Sequence, residues 1–161
     1  MNKKWYILII FLIIILLISS FGLYLNFKYK VINRAQNISL DDMESKIESS
    51  DEFDISKMQN IDTDFASSIF LIDKEKIKGI TGKAPLVNTK SSMYVIIQAN
   101  SEDLQDIKLA LDSYAIELEK DWSNYLPDQY ELVKNRKVGI IKNYVYMIIS
   151  ENPDKVENLI K

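Results

Sequence analysis

The chain has no cysteine and no histidine. Disulfides, a thiolate nucleophile, a Cys/His zinc site and an imidazole general base are therefore excluded. Glycine is scarce, at four residues, and proline scarcer, at three. No glycine-rich phosphate loop can be assembled from them, and no serine stands in a Gly-x-Ser-x-Gly frame. Arginine is nearly absent: Arg34 and Arg136 are the two among 20 basic residues, a lysine bias of the kind AT-rich bacterial genomes produce. Without cross-links, a domain depends on its apolar core, and the roughly 127 residues beyond Arg34 suffice for one. They contain no internal repeat or low-complexity tract.

What the chain has in excess is one apolar run. Trp5 to Leu25 reads WYILIIFLIIILLISSFGLYL, without a charge. At about 1.5 Å per residue a helix of this length reaches the roughly 30 Å of a hydrocarbon core. Trp5 and Tyr6 before the run, and Tyr24 and Tyr29 after it, are amphipathic aromatics of the kind that sit at membrane interfaces. Lys3 and Lys4 form a basic start, so a signal peptide cleaved after Gly22, in Ser20-Phe21-Gly22, is the alternative. The apolar run continues past that point, and no cysteine follows it to carry a lipid, so a retained signal anchor is the reading taken. Lys28, Lys30 and Arg34 nearly balance the two leading lysines. A four-residue tail with two lysines is retained more easily than translocated, which places the N-terminus in the cytoplasm and the C-terminal domain outside. The expected division is a tail over 1–4, a transmembrane helix over 5–25, a collar and acidic linker with a short helix over 26–60, and an extracytoplasmic domain over 61–161.

The charge is equally divided by position. Lys3, Lys4, Lys28, Lys30 and Arg34 all precede residue 35, so the remainder holds all 23 acidic residues and a net charge of −8, against −3 for the whole chain. The collar of Lys28, Lys30 and Arg34 suits anionic headgroups. The acidic remainder disfavours nucleic acid, whose affinity comes from phosphate neutralisation.

Periodicity then sketches the outer domain. Ser39-Leu-Asp-Asp42 resembles a capping box, and Leu40, Met43 and Ile47 follow at helical spacing, predicting a helix over about 40–50. Asp62 to Ile72 fits a strand or a short helix. Asp73 is expected to cap a brief helix carrying Ile77 and Ile80, stopped by Gly79 and Gly82, and Leu86-Val87 to form an edge strand after Pro85. Met93 to Ala99 reads as a strand. Asn100 or Ser101 is expected to cap the longest soluble helix, whose buried stripe is Leu104, Ile107, Leu111, Ala115, Leu118 and Trp122. Pro127 opens another helix, and two strands over 138–141 and 144–149 flank the turn Lys142-Asn143 as a hairpin. Asn152-Pro153 starts a closing helix with Val156, Leu159 and Ile160 on its apolar face. The expected architecture is α+β: an antiparallel sheet of about four strands packed against one long helix, with short flanking helices.

Three constellations carry chemistry. Asn60, Asp62 and Asp64 open an EF-hand-like spacing that fails at Phe65 and Leu71, so a calcium site there is set against a solvated acidic linker. Ser91 or Ser92 with Lys90 would supply Ser–Lys chemistry, yet neighbours on a strand point to opposite faces, and carboxylates are too numerous to choose between. Trp122, Tyr125, Tyr130, Tyr144 and Tyr146 either line a groove for a peptide or glycan or, the reading taken for Trp122, Tyr144 and Tyr146, pack in the core. The chain is therefore expected to be no enzyme, and no cofactor or metal is expected.

From Trp122 to Asp154 the residues Tyr125, Pro127, Gln129, Leu132, Asn135, Asn143 and Tyr144, with Ser150 to Asp154, form a Tyr-x-Pro-x-Gln stretch, an Asn before a hairpin and an Asn-Tyr entering the last strand. This resembles an uncharacterised domain-of-unknown-function family of small, membrane- or lipid-anchored extracytoplasmic proteins of Gram-positive-type bacteria, over about residue 60 to the C-terminus. Lys142 replaces a glycine frequent in that family, and the lipobox cysteine is missing. The resemblance implies an exported location and an α+β domain, and no activity. Taken together, these readings predict a single-pass membrane protein of the cell envelope. Its outer domain is a non-catalytic interaction or accessory module for an envelope or membrane protein, with Tyr125, Gln129, Tyr130, Asn135, Asn143 and Tyr144 as candidate surface. An envelope hydrolase, or a calcium or ligand sensor, is the alternative.

Overall fold

The computed structural model describes residues 15, 16, 18–25 and 38–161. The chain divides into two units, with the boundary in sequence between Ile38 and Ser39. In the first unit residues 15, 16 and 18–25 are helical (α1), and their side chains, Phe21, Leu23 and Tyr24 among them, are exposed. Among the described residues no helix is long and apolar enough to cross a membrane. The expected span over 5–25 lies mostly outside the described residues, and Trp5, Tyr6, Lys28, Tyr29, Lys30 and Arg34 lie wholly outside them.

The second unit, Ser39–Lys161, is α+β. Its elements run α2 (Leu40–Glu48), β1 (Met58–Asn60), α3 (Thr63–Ile69), β2 (Gly79–Pro85), β3 (Met93–Gln98), α4 (Leu104–Ser123), α5 (Pro127–Lys134), β4 (Lys137–Ile141), β5 (Tyr144–Ile149) and α6 (Pro153–Ile160). The five strands form one sheet in the order β1-β2-β3-β5-β4, every neighbouring pair antiparallel. One strand more than expected comes from β1, whose three residues are too few to show a period.

Local signals explain most boundaries. Ser39 caps α2 as a full capping box: its Oγ accepts from the Asp42 N–H at 3.1 Å, and the Asp42 carboxylate accepts from the Ser39 N–H at 3.4 Å. Pro127 and Pro153 open α5 and α6, where a missing N–H costs nothing. Lys142 and Asn143 turn β4 into β5 as a two-residue hairpin. The ambiguous stretch after Asp62 is helical, because the Asp62 carboxylate accepts from the Phe65 N–H at 2.8 Å and caps α3.

Other boundaries differ from expectation. Asp73 caps only a single 3₁₀ turn, Lys74–Lys76, and Gly79, Ile80 and Gly82 lie on β2 rather than ending a helix. Gly82 marks a close strand approach: a Cβ there would sit 2.9 Å from the Val95 Cα. Leu86 and Val87 follow β2 instead of forming a strand, and both are exposed. The long helix begins at Leu104, after a turn in which the Asp103 N–H donates to the Asn100 carbonyl at 3.1 Å. Asn100 and Ser101 therefore precede the cap position, which Asp103 fills.

β3 and β5 are apolar along their length because helices cover both sheet faces. On one face Val95, Ile97, Val145, Met147 and Ile149 pack with the α4 stripe of Leu104, Ile107, Leu111, Ala115 and Trp122. The alternate residues, Tyr94, Ile96, Tyr144, Tyr146 and Ile148, are also buried. They lie on the side where α2 packs on β2, and α6 on β4 and β5, with Met43, Ile47, Val156 and Ile160 buried. Tyr144 and Tyr146 thus belong to a strand buried on both faces, not a half-buried one.

Candidate binding cleft

A cleft of about 410 Å3 opens at the β1–β2 edge of the α4 side of the sheet. That volume lies within the usual range for a small-ligand or side-chain pocket. The register places Gln59 and Ala84 opposite each other on β1 and β2, so both reach one wall together with Pro85. Phe65 of α3 and Met93 of β3 are apolar lining. Residues 87–91 form the rim, and Tyr114, Leu118, Asp121 and Tyr125 bring one flank of α4 and the turn after it to the opposite wall. Their spacing of four, three and four residues is one helical face, beside the core stripe.

Burial grades the walls. Trp122 is 7% exposed, its ring tilted against that of Tyr125 at 6.1 Å between centroids, and Tyr125 is 67% exposed. The indole Nε1 of Trp122 is buried and has no acceptor among the described residues. Tyr114 packs edge-on against Phe70 at 4.8 Å, and its hydroxyl approaches the Met93 sulfur at 3.9 Å. Burial, and then the Asp121 charge, push the Tyr114 phenol above its usual range. Val87 is exposed on the rim. Lys90 and Asp121 are exposed charges of opposite sign, and neither forms an ion pair among the described residues.

The rim is anchored from beneath. Gln129 is 4% exposed, and its Oε1 accepts from the Ser91 N–H at 2.9 Å and from the Ser91 Oγ–H at 3.1 Å. A backbone N–H can only donate, so this contact fixes which end of the amide faces Ser91. The Gln129 Nε2 donates to Asp128 at 3.2 Å, and that hydrogen bond is the largest of the effects holding the Asp128 carboxyl below its usual range. The Tyr-x-Pro-x-Gln stretch is thereby a structural device: Pro127 starts α5, and Gln129 pins the loop that edges the cleft. Ser91 Oγ is turned to Gln129 rather than to Lys90.

The six candidate surface residues do not share one surface. Tyr125 lines the cleft; Gln129 supports it from inside. Tyr130 is half-buried against the core, with the Lys134 ammonium 5.6 Å from its ring centroid. Asn135 terminates α5, its N–H donating to the Glu131 carbonyl at 3.0 Å. Asn143 sits in the hairpin turn, and its carbonyl accepts from the Ala99 N–H at 3.0 Å. Tyr144 is buried on the opposite sheet face. The residues of the EF-hand-like spacing are individually engaged: Asn60 accepts from Lys83 at 2.7 Å, Asp62 caps α3, and Asp64 pairs with Lys74 at 2.5 Å. Among the described residues no three acidic side chains converge to hold a metal ion.

A domain of unknown function, DUF4358, matches residues 51–150. The match covers every strand and the whole cleft lining, and it leaves out α2 and α6. No curated protein and no solved structure matches the chain.

Proposed function

The chain belongs to the DUF4358 family, whose domain occupies residues 51–150, and from that premise we propose that it is a single-pass membrane protein holding a non-catalytic binding domain outside the cell membrane. The uncharged run Trp5–Leu25, the two lysines before it and the basic collar after it support the anchor. The partner is an envelope or membrane protein met at the cleft, and nucleic acid is disfavoured by the acidic outer domain.

The observation that carries the binding role is the division of labour in the cleft. Ser91, buried in its lining, is hydrogen-bonded to Gln129 beneath it, while Val87 and Tyr125 on its rim face solvent. A catalytic nucleophile needs a base and a free trajectory; an interaction surface needs exposed apolar area with a fixed shape. The rival reading, a hydrolase, rests on the same cleft gathering Lys90, Ser91 and Asp121. In that reading Ser91 Oγ has to leave Gln129.

Three measurements test this. After alkaline carbonate washing the intact chain stays with the vesicles, and protease outside spheroplasts removes the domain beyond residue 38. Release by carbonate, or a tail untouched by protease, overturns the anchored reading. Labelling of Ser91 by a fluorophosphonate probe turns the assignment to the hydrolase.

A further inference from the structure

We propose that the cleft takes an extended peptide segment in which one apolar side chain lies between a basic and an acidic residue. This deepens the binding role assigned above and rests on it. Three independent features of the cleft select that ligand. Its lining includes the apolar Phe65, Ala84, Met93 and Leu118, and its volume of about 410 Å3 exceeds one side chain, leaving room for backbone. Its lining carries one exposed charge of each sign, Lys90 on the rim and Asp121 on the α4 wall, neither in an ion pair among the described residues, with the Lys90 charge also felt by Asp128. A site of net zero charge does not attract a polyanion such as a nucleotide; it complements a ligand with separated opposite charges.

The third feature is the orphan indole. Trp122 lines the cleft, and its Nε1–H is buried without an acceptor among the described residues. Such a donor is costly to leave unmet, and native structures rarely do so. A peptide carbonyl running along this wall supplies the acceptor once the exposed Tyr125 ring, which packs on the indole, swings aside, and Gln59 and Asn88 offer side-chain amides to neighbouring peptide groups. β1, which carries Gln59, is an edge strand paired on one side only, the usual setting for an added extended segment.

The test uses the full-length chain in lipid nanodiscs, panned against a displayed library of random heptapeptides. Enriched sequences are expected to carry a basic and an acidic residue on either side of an apolar one. Lys90→Glu and Asp121→Lys, both at exposed positions that the fold does not need, each weaken a selected peptide by about tenfold or more, and exchanging the matching charge on the peptide restores it. The indole N–H resonance of Trp122, identified by its loss in Trp122→Phe, moves on peptide addition. No enrichment, enrichment without the charge pattern, or an unmoved indole resonance overturns the proposal. If chitotetraose moves that resonance and peptides do not, the peptide assignment falls while the cleft remains a binding site. If neither ligand binds, both readings fall.

Discussion

Gln129 and Ser91, 38 residues apart, are joined by hydrogen bonds from both the N–H and the hydroxyl of the serine to one amide oxygen. That clamp ties the first turn of α5 to the loop entering β3, and so sets the rim of the cleft. Replacing Gln129 by leucine keeps the volume and leaves the buried Ser91 N–H without an acceptor. The expected loss is about 1–3 kcal/mol of stability, read as a lower midpoint in urea. Amide exchange over residues 86–91 accelerates in the same variant. Unchanged exchange there would show that the loop is held by something other than the clamp.

Gly139 faces Tyr146 across the β4–β5 pair, and a Cβ on Gly139 would lie 2.6 Å from the Tyr146 Cζ and 3.0 Å from its Cε1. The ring cannot retreat freely, because it is 5% exposed and its hydroxyl donates to Glu157 on α6. Gly139→Ala is therefore expected to destabilise by about 1–3 kcal/mol through overpacking. Tyr146→Leu in the same chain, which removes the ring, recovers part of that loss. A double-mutant cycle by chemical denaturation measures the coupling, and additive effects would refute the contact.

The elements written locally were legible, and those written at a distance were not. Ser39-Leu-Asp-Asp42, Pro127 and Lys142-Asn143 each act within a few residues, and each marks its boundary. The stripe from Leu104 to Trp122 spans enough turns to show its period. β1 failed the same test at three residues, and Gly82 read as a helix stop because the strand it makes room for is β3, encountered later in the chain. Tyr144 and Tyr146 fit a strand with one wet face until α2 and α6 are seen to cover it. Of the cleft, the α4 wall at 114, 118, 121 and 125 has a readable spacing. The rest comes from α3, β1, β2, β3 and the loop between the last two, and no single window of sequence contains them. The role of Gln129 depends on Ser91, so only the fold reveals it.

Among the described residues two other than glycine adopt positive φ: Leu71 at 58° and Lys142 at 55°. Leu71 follows the end of α3 and is 82% exposed, and Lys142 opens the hairpin turn. A side chain in this region costs about 1–2 kcal/mol, partly offset when glycine replaces it, because glycine raises the entropy of the unfolded chain. Leu71→Gly and Lys142→Gly are each expected to stabilise by a few tenths to about 1 kcal/mol. Lys142→Val, β-branched, is expected to destabilise. Thermal melts of the three variants decide the matter, and a lower midpoint for both glycine variants would contradict it.

Tyr94 supplies the pH dependence. It is fully buried, its ring lies 5.1 Å from that of Phe53, and its hydroxyl has no hydrogen-bond partner among the described residues. Burial, then the charges of Glu48 and Glu44, push its phenol far above the ordinary value near 10. The sign follows from the protons bound. Above pH 10 the unfolded chain loses the Tyr94 proton while the folded chain keeps it, so the unfolded state binds fewer protons and stability falls as pH rises. Below pH 10 the contribution is fully present. Each such phenol adds up to about 1.4 kcal/mol of lost stability per pH unit. Tyr146, raised by burial and by Glu157, acts in the same direction, as do the lysines raised by their carboxylate partners, Lys74 with Asp64 and Lys137 with Asp154. Tyr94→Phe removes one phenol and an unpaired hydroxyl together. At pH 7 it is expected to leave stability unchanged or slightly higher, and between pH 10 and 11.5 to fall less steeply than the parent chain. Urea midpoints at a series of pH values measure both, and a parallel decline of parent and variant would place the alkaline sensitivity elsewhere.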